Sequence, residues 1–261
     1  MSITQLRFAV STLAPALNEK AQQLAMKLHL PFVPHFDEAA ITEYDYLLLF
    51  TPHYLGLHPV SDKKFAPFHI DFLSGKMFYR TQQASLRRES LARAIGFKPS
   101  EHPRILDATA GLGRDSFILA KLGFEVTLLE RSPILHALLQ DALDRAQASK
   151  TFSSLCQRLQ LIHADALDWL KQRPVDQRPD VIYLDPMFPE RQKTASVKKE
   201  MVILQNLLGK DTDADQLFQL ALTCATRRVV VKRPRLAPNV TGSAPSFSMA
   251  GKSSRFDIYL V

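Results

Sequence analysis

The chain has 261 residues, 46% hydrophobic and 23% charged, an ordinary globular balance that excludes a disordered, collagenous or low-complexity protein. Two cysteines, Cys156 and Cys224, are too few for a disulfide framework or a thiolate zinc site. No apolar run approaches the ~18 residues of a membrane span, and residues 1–20 carry no secretory leader, so the sequence predicts a soluble, cytoplasmic protein with no metal and no membrane partner. The net charge of +7 and pI of about 9.4 suit a polyanionic partner such as nucleic acid.

In chain order, residues 7–12 read as a short strand. Residues 15–30 read as a helix, with Leu17, Ala21, Leu24, Ala25 and Leu28 spaced by three and four. A buried strand is predicted over 46–50, an aromatic stretch with turn signals over 65–75, and a helix over 86–95 that ends at Gly96. From Arg104 onward the pattern is regular. Strands are predicted at 105–108, 125–130, 159–163, 181–185, 228–232 and 256–261, with helices at 114–122, 133–148, 167–171 and 215–225. Apolar strands alternating with helices imply an α/β fold: a mostly parallel sheet covered on both faces. The last strand follows a Pro-, Ser- and Gly-rich stretch, residues 234–254, rather than a helix, which predicts an antiparallel strand reached through a flexible loop or linker. The chain divides into a smaller N-terminal α/β portion, residues 1–98, expected to contribute substrate contacts, and a domain over 99–261. Cys156 and Cys224 fall in helical segments and are expected to be buried.

Residues 105–117, Ile-Leu-Asp-Ala-Thr-Ala-Gly-Leu-Gly-Arg-Asp-Ser-Phe, read as strand, glycine turn and helix start. Gly111 and Gly113 fit the first two glycines of a dinucleotide fingerprint, but no glycine stands third. Asp107 is expected to point into the loop, where it would repel a pyrophosphate and hold a cation. Glu130 closes the next strand 23 residues on and suits ribose hydroxyls; Asp165 follows the third strand, where it would meet an adenine edge. Singly, Glu130 also reads as a solvated strand end and Asp165 as a helix N-cap. Together they fit a ligand with ribose, adenine and positive charge but no phosphate, which is S-adenosylmethionine.

The fourth strand ends in Asp185-Pro186-Met187-Phe188. Amino-group methyltransferases carry a similar [Asp/Asn]-Pro-Pro-[Phe/Tyr] at this point. The exocyclic amine of a base is a poor nucleophile because its lone pair is delocalised into the ring. A carboxylate and a neighbouring backbone carbonyl accept its N–H hydrogens and aim the lone pair. Pro186 stiffens the turn and removes an N–H, and Phe188 offers a stacking face.

Asp107-Ala-Thr-Ala-Gly-Leu-Gly-Arg-Asp, Leu129-Glu-Arg, Leu161-Ile-His-Ala, residues 183–193 around Asp-Pro-Met-Phe-Pro, Val197-Lys-Lys-Glu-Met, Val229-Val-Val-Lys-Arg-Pro and Arg255-Phe-Asp-Ile-Tyr together resemble the bacterial 16S ribosomal RNA (guanine-N2)-methyltransferase J family, from about His69 to the C-terminus. The resemblance implies a Rossmann-like class I methyltransferase fold and N2-methylation of a guanine in the 3′-terminal hairpin loop of 16S rRNA, on naked RNA or the small subunit. It implies that Arg114, Asp115, Glu130, Arg131, Asp165, Ala166 and Asp185 line the donor site. The family often carries a glycine-rich basic run where residues 79–88 keep the charge without the glycines, and a small polar residue where Asp165 stands.

Arg191, Lys193, Lys198 and Lys199 follow Phe188 closely, and Lys232 and Arg233 end the next strand. Both groups are expected at the reactive edge as phosphate contacts. His69, Asp71 and Phe72 are further candidates for a base pocket. Methylation of adenine N6 or of DNA, a nicotinamide-dependent dehydrogenase, and a non-catalytic RNA-binding assembly factor remain as alternatives.

Overall fold

The computed structural model describes residues 6–34, 41–62, 66–186, 213–251 and 254–261. The N-terminal portion holds a four-stranded sheet in the order β2 (Phe32–Val33), β1 (Phe8–Thr12), β3 (Tyr46–Phe50), β4 (Leu55–Pro59). β1 runs parallel to β2 and β3, and β3 pairs antiparallel with β4. The turn between β3 and β4 is built on Thr51, whose hydroxyl donates to Tyr54 O and accepts from the backbone N–H groups of His53 and Tyr54. The helix expected over 15–30 is a single 3-10 turn, Pro15–Leu17, followed by α1 (Asn18–Leu28), which ends at left-handed His29. Two further helices are α2 (Gly75–Gln83) and α3 (Ser90–Ile95); the helix expected from residue 86 begins at 90 because residues 85–89 form a turn. β4 and α2 were not expected. α2 buries only Met77 and Thr81, too little apolar periodicity to stand out.

The second sheet has seven strands in the order β10 (Phe247–Ala250), β11 (Ser254–Leu260), β9 (Arg228–Pro234), β8 (Val181–Leu184), β5 (Ile105–Asp107), β6 (Val126–Glu130), β7 (Leu159–His163). β9, β8, β5, β6 and β7 pair in parallel, β11 pairs antiparallel with β9, and β10 pairs antiparallel with β11. The antiparallel last strand is as expected. The stretch 234–254 is not simply a loop: it contains a 3-10 turn, Val240–Gly242, and β10, the sheet's edge. β10 is short and largely exposed, so it lacks the apolar alternation that marks a half-buried strand.

Helices cover both faces: α4 (Arg114–Lys121), α5 (Pro133–Ala148) and α6 (Ser153–Cys156) on one, α7 (Ala166–Lys171) and α8 (Ala214–Cys224) on the other. Side chains alternate accordingly. Ile105, Val181, Tyr183 and Val230 face the cluster that includes α4 and α5; Leu106, Ile182, Leu184, Val229 and Val231 face the cluster that includes α7 and α8. The first cluster continues through Phe72 to Leu57, Leu48 and Val10, so the four-stranded sheet and this face share one core. Phe72 stacks on Phe117 with centroids 4.2 Å apart, and Asp141 of α5 accepts the N–H of Leu55. Cys156 and Cys224 are buried in α6 and α8.

β5 is followed by β6 and β7 on one side, and the chain then returns to place β8 on the other. The carboxyl ends of β5 and β8 therefore flank the switch point, the place where open α/β sheets leave a ligand crevice. Among the described residues no helix is long and apolar enough to cross a membrane, and no three or more His, Cys, Asp or Glu side chains gather to hold a metal.

Candidate active site

Asp107 ends β5, and the loop 108–113 delivers the chain to α4. Gly111 and Gly113 both sit at positive φ, +54° and +66°. At Gly113 a Cβ would lie 2.7 Å from Leu139 Cδ1, so neither the backbone nor the packing admits a side chain. Gly111 has room, and its N–H donates to Glu130 Oε2 at 3.0 Å.

Asp107 corrects one expectation. It does not face the loop's mouth but lies beneath it, 2% exposed, accepting from Ser116 Oγ at 2.5 Å and from the N–H of Thr109 at 3.2 Å. Burial pushes its pKa up to about 7, against the pull of these two hydrogen bonds. It braces the loop and is a weak anchor for a cation.

Glu130, at the end of β6, is also buried. Its carboxylate accepts from Gly111 N–H and, at 2.8 Å, from Ser132 N–H, tying the loop after β5 to the loop after β6. Arg131 pairs with Asp213 at 2.7 Å and lies 3.8 Å from Asp165 Oδ2. Asp165 Oδ1 caps α7 by accepting from Leu167 N–H at 2.9 Å, and Ala166 is the first residue of that helix. Glu130, Arg131, Asp165 and Ala166 are thus brought together at the ends of β6 and β7, with Asp165 serving also as the N-cap.

On the other side of the switch point the register places Tyr183 opposite Val230, so Lys232 comes level with Asp185 and on the same face as Tyr183. Lys232 Nζ donates to Asp185 Oδ2 at 2.8 Å and to Asp115 Oδ2 at 2.7 Å. Tyr183 OH donates to the same Asp115 oxygen at 2.8 Å, and Arg80 Nη2 of α2 donates to Asp115 Oδ1 at 3.2 Å. The N–H of Asp185 donates to Thr109 Oγ1 at 2.7 Å, binding the end of β8 to the glycine loop. Burial works to raise Asp115, but the Lys232 ammonium and Arg80 guanidinium outweigh it and hold the carboxyl below its usual range. Asp185 goes the other way: burial, helped by the Asp115 charge, exceeds the pull of Lys232 and raises it. Between its two carboxylates Lys232 is raised, burial notwithstanding, and Tyr183 is raised by burial and by Asp115. The Asp185 side chain is 39% exposed, and among the described residues its Oδ1 accepts no hydrogen bond. Pro186 follows, buried.

Phe188, Arg191, Lys193, Lys198 and Lys199 lie outside the described residues. The expected phosphate contact at Arg233 is corrected. One residue beyond Lys232 it faces the opposite side of the sheet, is 5% exposed, and donates to Pro238 O. Lys232 is committed to two carboxylates rather than displayed to a phosphate. His69 stacks on Tyr54, Asp71 pairs with Arg145, and Phe72 is in the core, so all three support the scaffold. Arg80, Thr109, Ser116 and Tyr183 were not singled out from the sequence. Two left a signal: Arg80 stands in the basic run 79–88, and Tyr183 is a phenol in an otherwise aliphatic buried strand, whose O–H needs a partner. A groove of about 270 Å³ between α1 and α5 and a cavity of about 580 Å³ at the amino ends of β5–β7 both exclude the acids at the carboxyl edge.

The residues fit S-adenosylmethionine. The glycine loop leaves open space at Gly111, Glu130 and Asp165 offer acceptors for hydroxyl and amine groups, and Asp115 at the start of α4 disfavours a phosphate. A family model described as SAM-dependent methyltransferase matches residues 33–261. The chain is 45% identical over 254 residues to the ribosomal RNA small subunit methyltransferase J of Thioalkalivibrio sulfidiphilus, covering 97% of this chain and 98% of that one. It is 46% identical over 253 residues to the protein of the same name from Coxiella burnetii, covering 97% and 96%. The crystal structure of a SAM-dependent methyltransferase from Neisseria gonorrhoeae superposes with a TM-score of 0.72 at 32% identity, covering 97% of this chain and 96% of that one. A Rossmann-like class I methyltransferase sheet and full-length similarity of this degree agree: the chain belongs to the ribosomal RNA small subunit methyltransferase J family of S-adenosylmethionine-dependent enzymes.

Proposed function

We propose that this enzyme methylates the exocyclic N2 amine of a guanine in 16S rRNA, in the loop of the 3′-terminal hairpin, in the cytoplasm where the small subunit is assembled. The observation that carries the reading is Asp185: a partly exposed carboxylate at the switch point, fixed through one oxygen by Lys232 and through its backbone by Thr109. The matched family members act on small-subunit RNA by name, and the guanine-N2 assignment follows the resemblance of the Asp-Pro-Met-Phe-Pro segment.

Glu130, Arg131, Asp165 and Ala166 would hold the ribose and adenine of the donor, and the backbone at Gly111–Asp115 its methionine end. Bound there, S-adenosylmethionine supplies a methyl group on a positively charged sulfur. Asp185 Oδ1 accepts an N–H of the guanine amine, and a neighbouring backbone carbonyl takes the second, so the nitrogen lone pair is aimed out of the ring plane. Alignment of this kind is worth up to ~7–11 kcal/mol in well-oriented reactions. The nitrogen becomes acidic as its new bond forms, and Asp185, raised by burial, is a competent transient acceptor for the proton it loses.

The test is methyl transfer from labelled S-adenosylmethionine to undermethylated 16S rRNA and to small subunits, followed by mass spectrometry of the nucleosides. N2-methylguanosine is expected from the wild type and none from Asp185→Ala, with donor affinity retained. A methyladenine product, or full activity in Asp185→Ala, would overturn the reading.

A further inference from the structure

The helix that brings Arg80 to the active site leaves an aromatic and basic flank uncovered. α2 turns Met77 and Thr81 inward. At ~100° per residue, Lys76, Tyr79, Arg80 and Gln83 then share one flank, Lys76 standing four positions from Arg80 and Tyr79 four from Gln83. Arg80 forms its inner border through Asp115 and also pairs with Glu89 at 3.5 Å. Gln83 forms the far end and accepts from Arg88 Nη1 at 3.1 Å. Lys76, Tyr79, Gln83, Arg87 and Arg88 are all exposed.

Tyr79 is 68% exposed, and among the described residues its side chain has no hydrogen bond and no stacked or edge-on ring neighbour. Phe78, 43% exposed, leans edge-on against Phe152 at 6.1 Å, so packing accounts for it. No such account covers Tyr79. The nearby acids are already matched: Glu89 and Asp115 by Arg80, Asp115 again by Lys232, and Asp71 by Arg145. The flank therefore presents net positive charge around one exposed aromatic ring. From Lys76 to Gln83 it runs about 10 Å, at 1.5 Å per residue, and a stacked strand rises ~3.4 Å per nucleotide, so two or three nucleotides span it.

We propose that this flank of α2 is the ledge on which the enzyme holds the single-stranded RNA beside its target base, with one base stacked on Tyr79 and the phosphates on Lys76, Arg87 and Arg88. The proposal rests on the reading of the enzyme as an RNA methyltransferase and adds where the substrate strand lies. Base edges carry no role in it, because stacking on an aromatic face and phosphate pairing accept any sequence. The ledge abuts the active site through one side chain: Arg80 meets Asp115, Asp115 meets Lys232, and Lys232 meets Asp185.

The experiment measures the full chain binding a fluorescent RNA hairpin with the 16S 3′-terminal loop, alongside calorimetric titration with S-adenosylmethionine. Tyr79→Ala is expected to weaken RNA binding roughly tenfold, within the range for loss of a stacking ring, and to raise KM for RNA with kcat little changed. Tyr79→Phe keeps the ring and should bind as the wild type does. The double variant Lys76→Gln, Arg88→Gln should flatten the slope of log affinity against log salt by about 1.4, at ~0.7 per single-strand phosphate contact. Donor affinity should be the same in every variant. Wild-type RNA affinity and salt slope in these variants would overturn the ledge while leaving the RNA methyltransferase reading intact. Self-association of the wild type that disappears in Tyr79→Ala would also overturn it, by making the flank an interface between copies. A wild type that methylates no RNA would remove the underlying function and the ledge with it.

Discussion

Lys232 Nζ stands 2.8 Å from Asp185 Oδ2, the two residues lying at matching positions just beyond the paired ladder of β8 and β9. The same ammonium reaches Asp115 at 2.7 Å, so one cation serves two carboxylates. This sharing explains why the acids part: Asp115, with Arg80 and Tyr183 in addition, is held low, while Asp185 is raised by burial beyond what half of Lys232 can offset.

Removing Lys232 should therefore move the pH dependence of catalysis. Groups facing Asp185 are Lys232 from β9, Asp115 from α4, and Tyr183 and Asp107 from β8 and β5, with Arg80 acting through Asp115. Lys232 is the one that lowers Asp185, so in Lys232→Met the carboxylate protonates at higher pH. Loss of a close opposite charge typically shifts a carboxyl by ~1–3 units, so the acid limb of kcat should rise by about that much. Activity lost at pH 7 should return at higher pH, and Lys232→Arg should stay close to wild type. A pH–rate profile of unchanged shape would rule out this coupling.

Asp107 makes a prediction about stability with the opposite sign from most carboxylates. Its folded pKa of about 7 exceeds its usual value of 3.8, so the folded state binds the proton more tightly than the unfolded state. Stability from this group is complete below pH ~4 and is lost as pH rises through 7, up to roughly 4 kcal/mol at ~1.36 kcal/mol per unit. Asp107→Asn should remove that slope. Urea melts of both proteins at several pH values check it; parallel stability curves between pH 4 and 7 would refute the assignment.

The glycine loop distinguishes its two glycines. Gly113→Ala places a Cβ 2.7 Å from Leu139 Cδ1 at φ +66° and should cost about 2–4 kcal/mol, combining backbone strain and overpacking. Gly111→Ala carries the φ penalty with no atom closer than 3.8 Å and should cost about 1–2 kcal/mol. Combined with Leu139→Ala, which itself removes a fully buried side chain, the total loss should fall short of the sum of the two single losses if packing is the larger share. Equal denaturant midpoints for the two glycine variants would contradict the geometry.

Tyr183→Phe deletes one hydrogen bond to a charged carboxylate that keeps Lys232 and Arg80. The expected cost is about 1.5–3 kcal/mol of stability, with donor affinity largely kept. Thermal unfolding and donor titration read the two quantities separately.

The alternation of apolar strands with helices, the glycine turn after Asp107 and the Asp-Pro turn after the fourth strand were legible in the chain, because each is a local pattern of period, turn chemistry or adjacent residues. So was the antiparallel last strand, from the absence of a crossover helix before it. β10 and α2 escaped because neither buries enough apolar surface to leave a period in the sequence. The roles of Lys232 and Arg233 could not be separated along the chain, since neighbouring cations look alike until a strand's faces are assigned. The ladder between β8 and β9 sends one into the reactive edge and the other into the far side of the sheet. Likewise Arg80 meets Asp115 from 35 positions away, and Lys232 from 117. Residue types and local order name the chemistry; strand order, register and burial alone choose which charges meet, and so which carboxylate is left partly exposed.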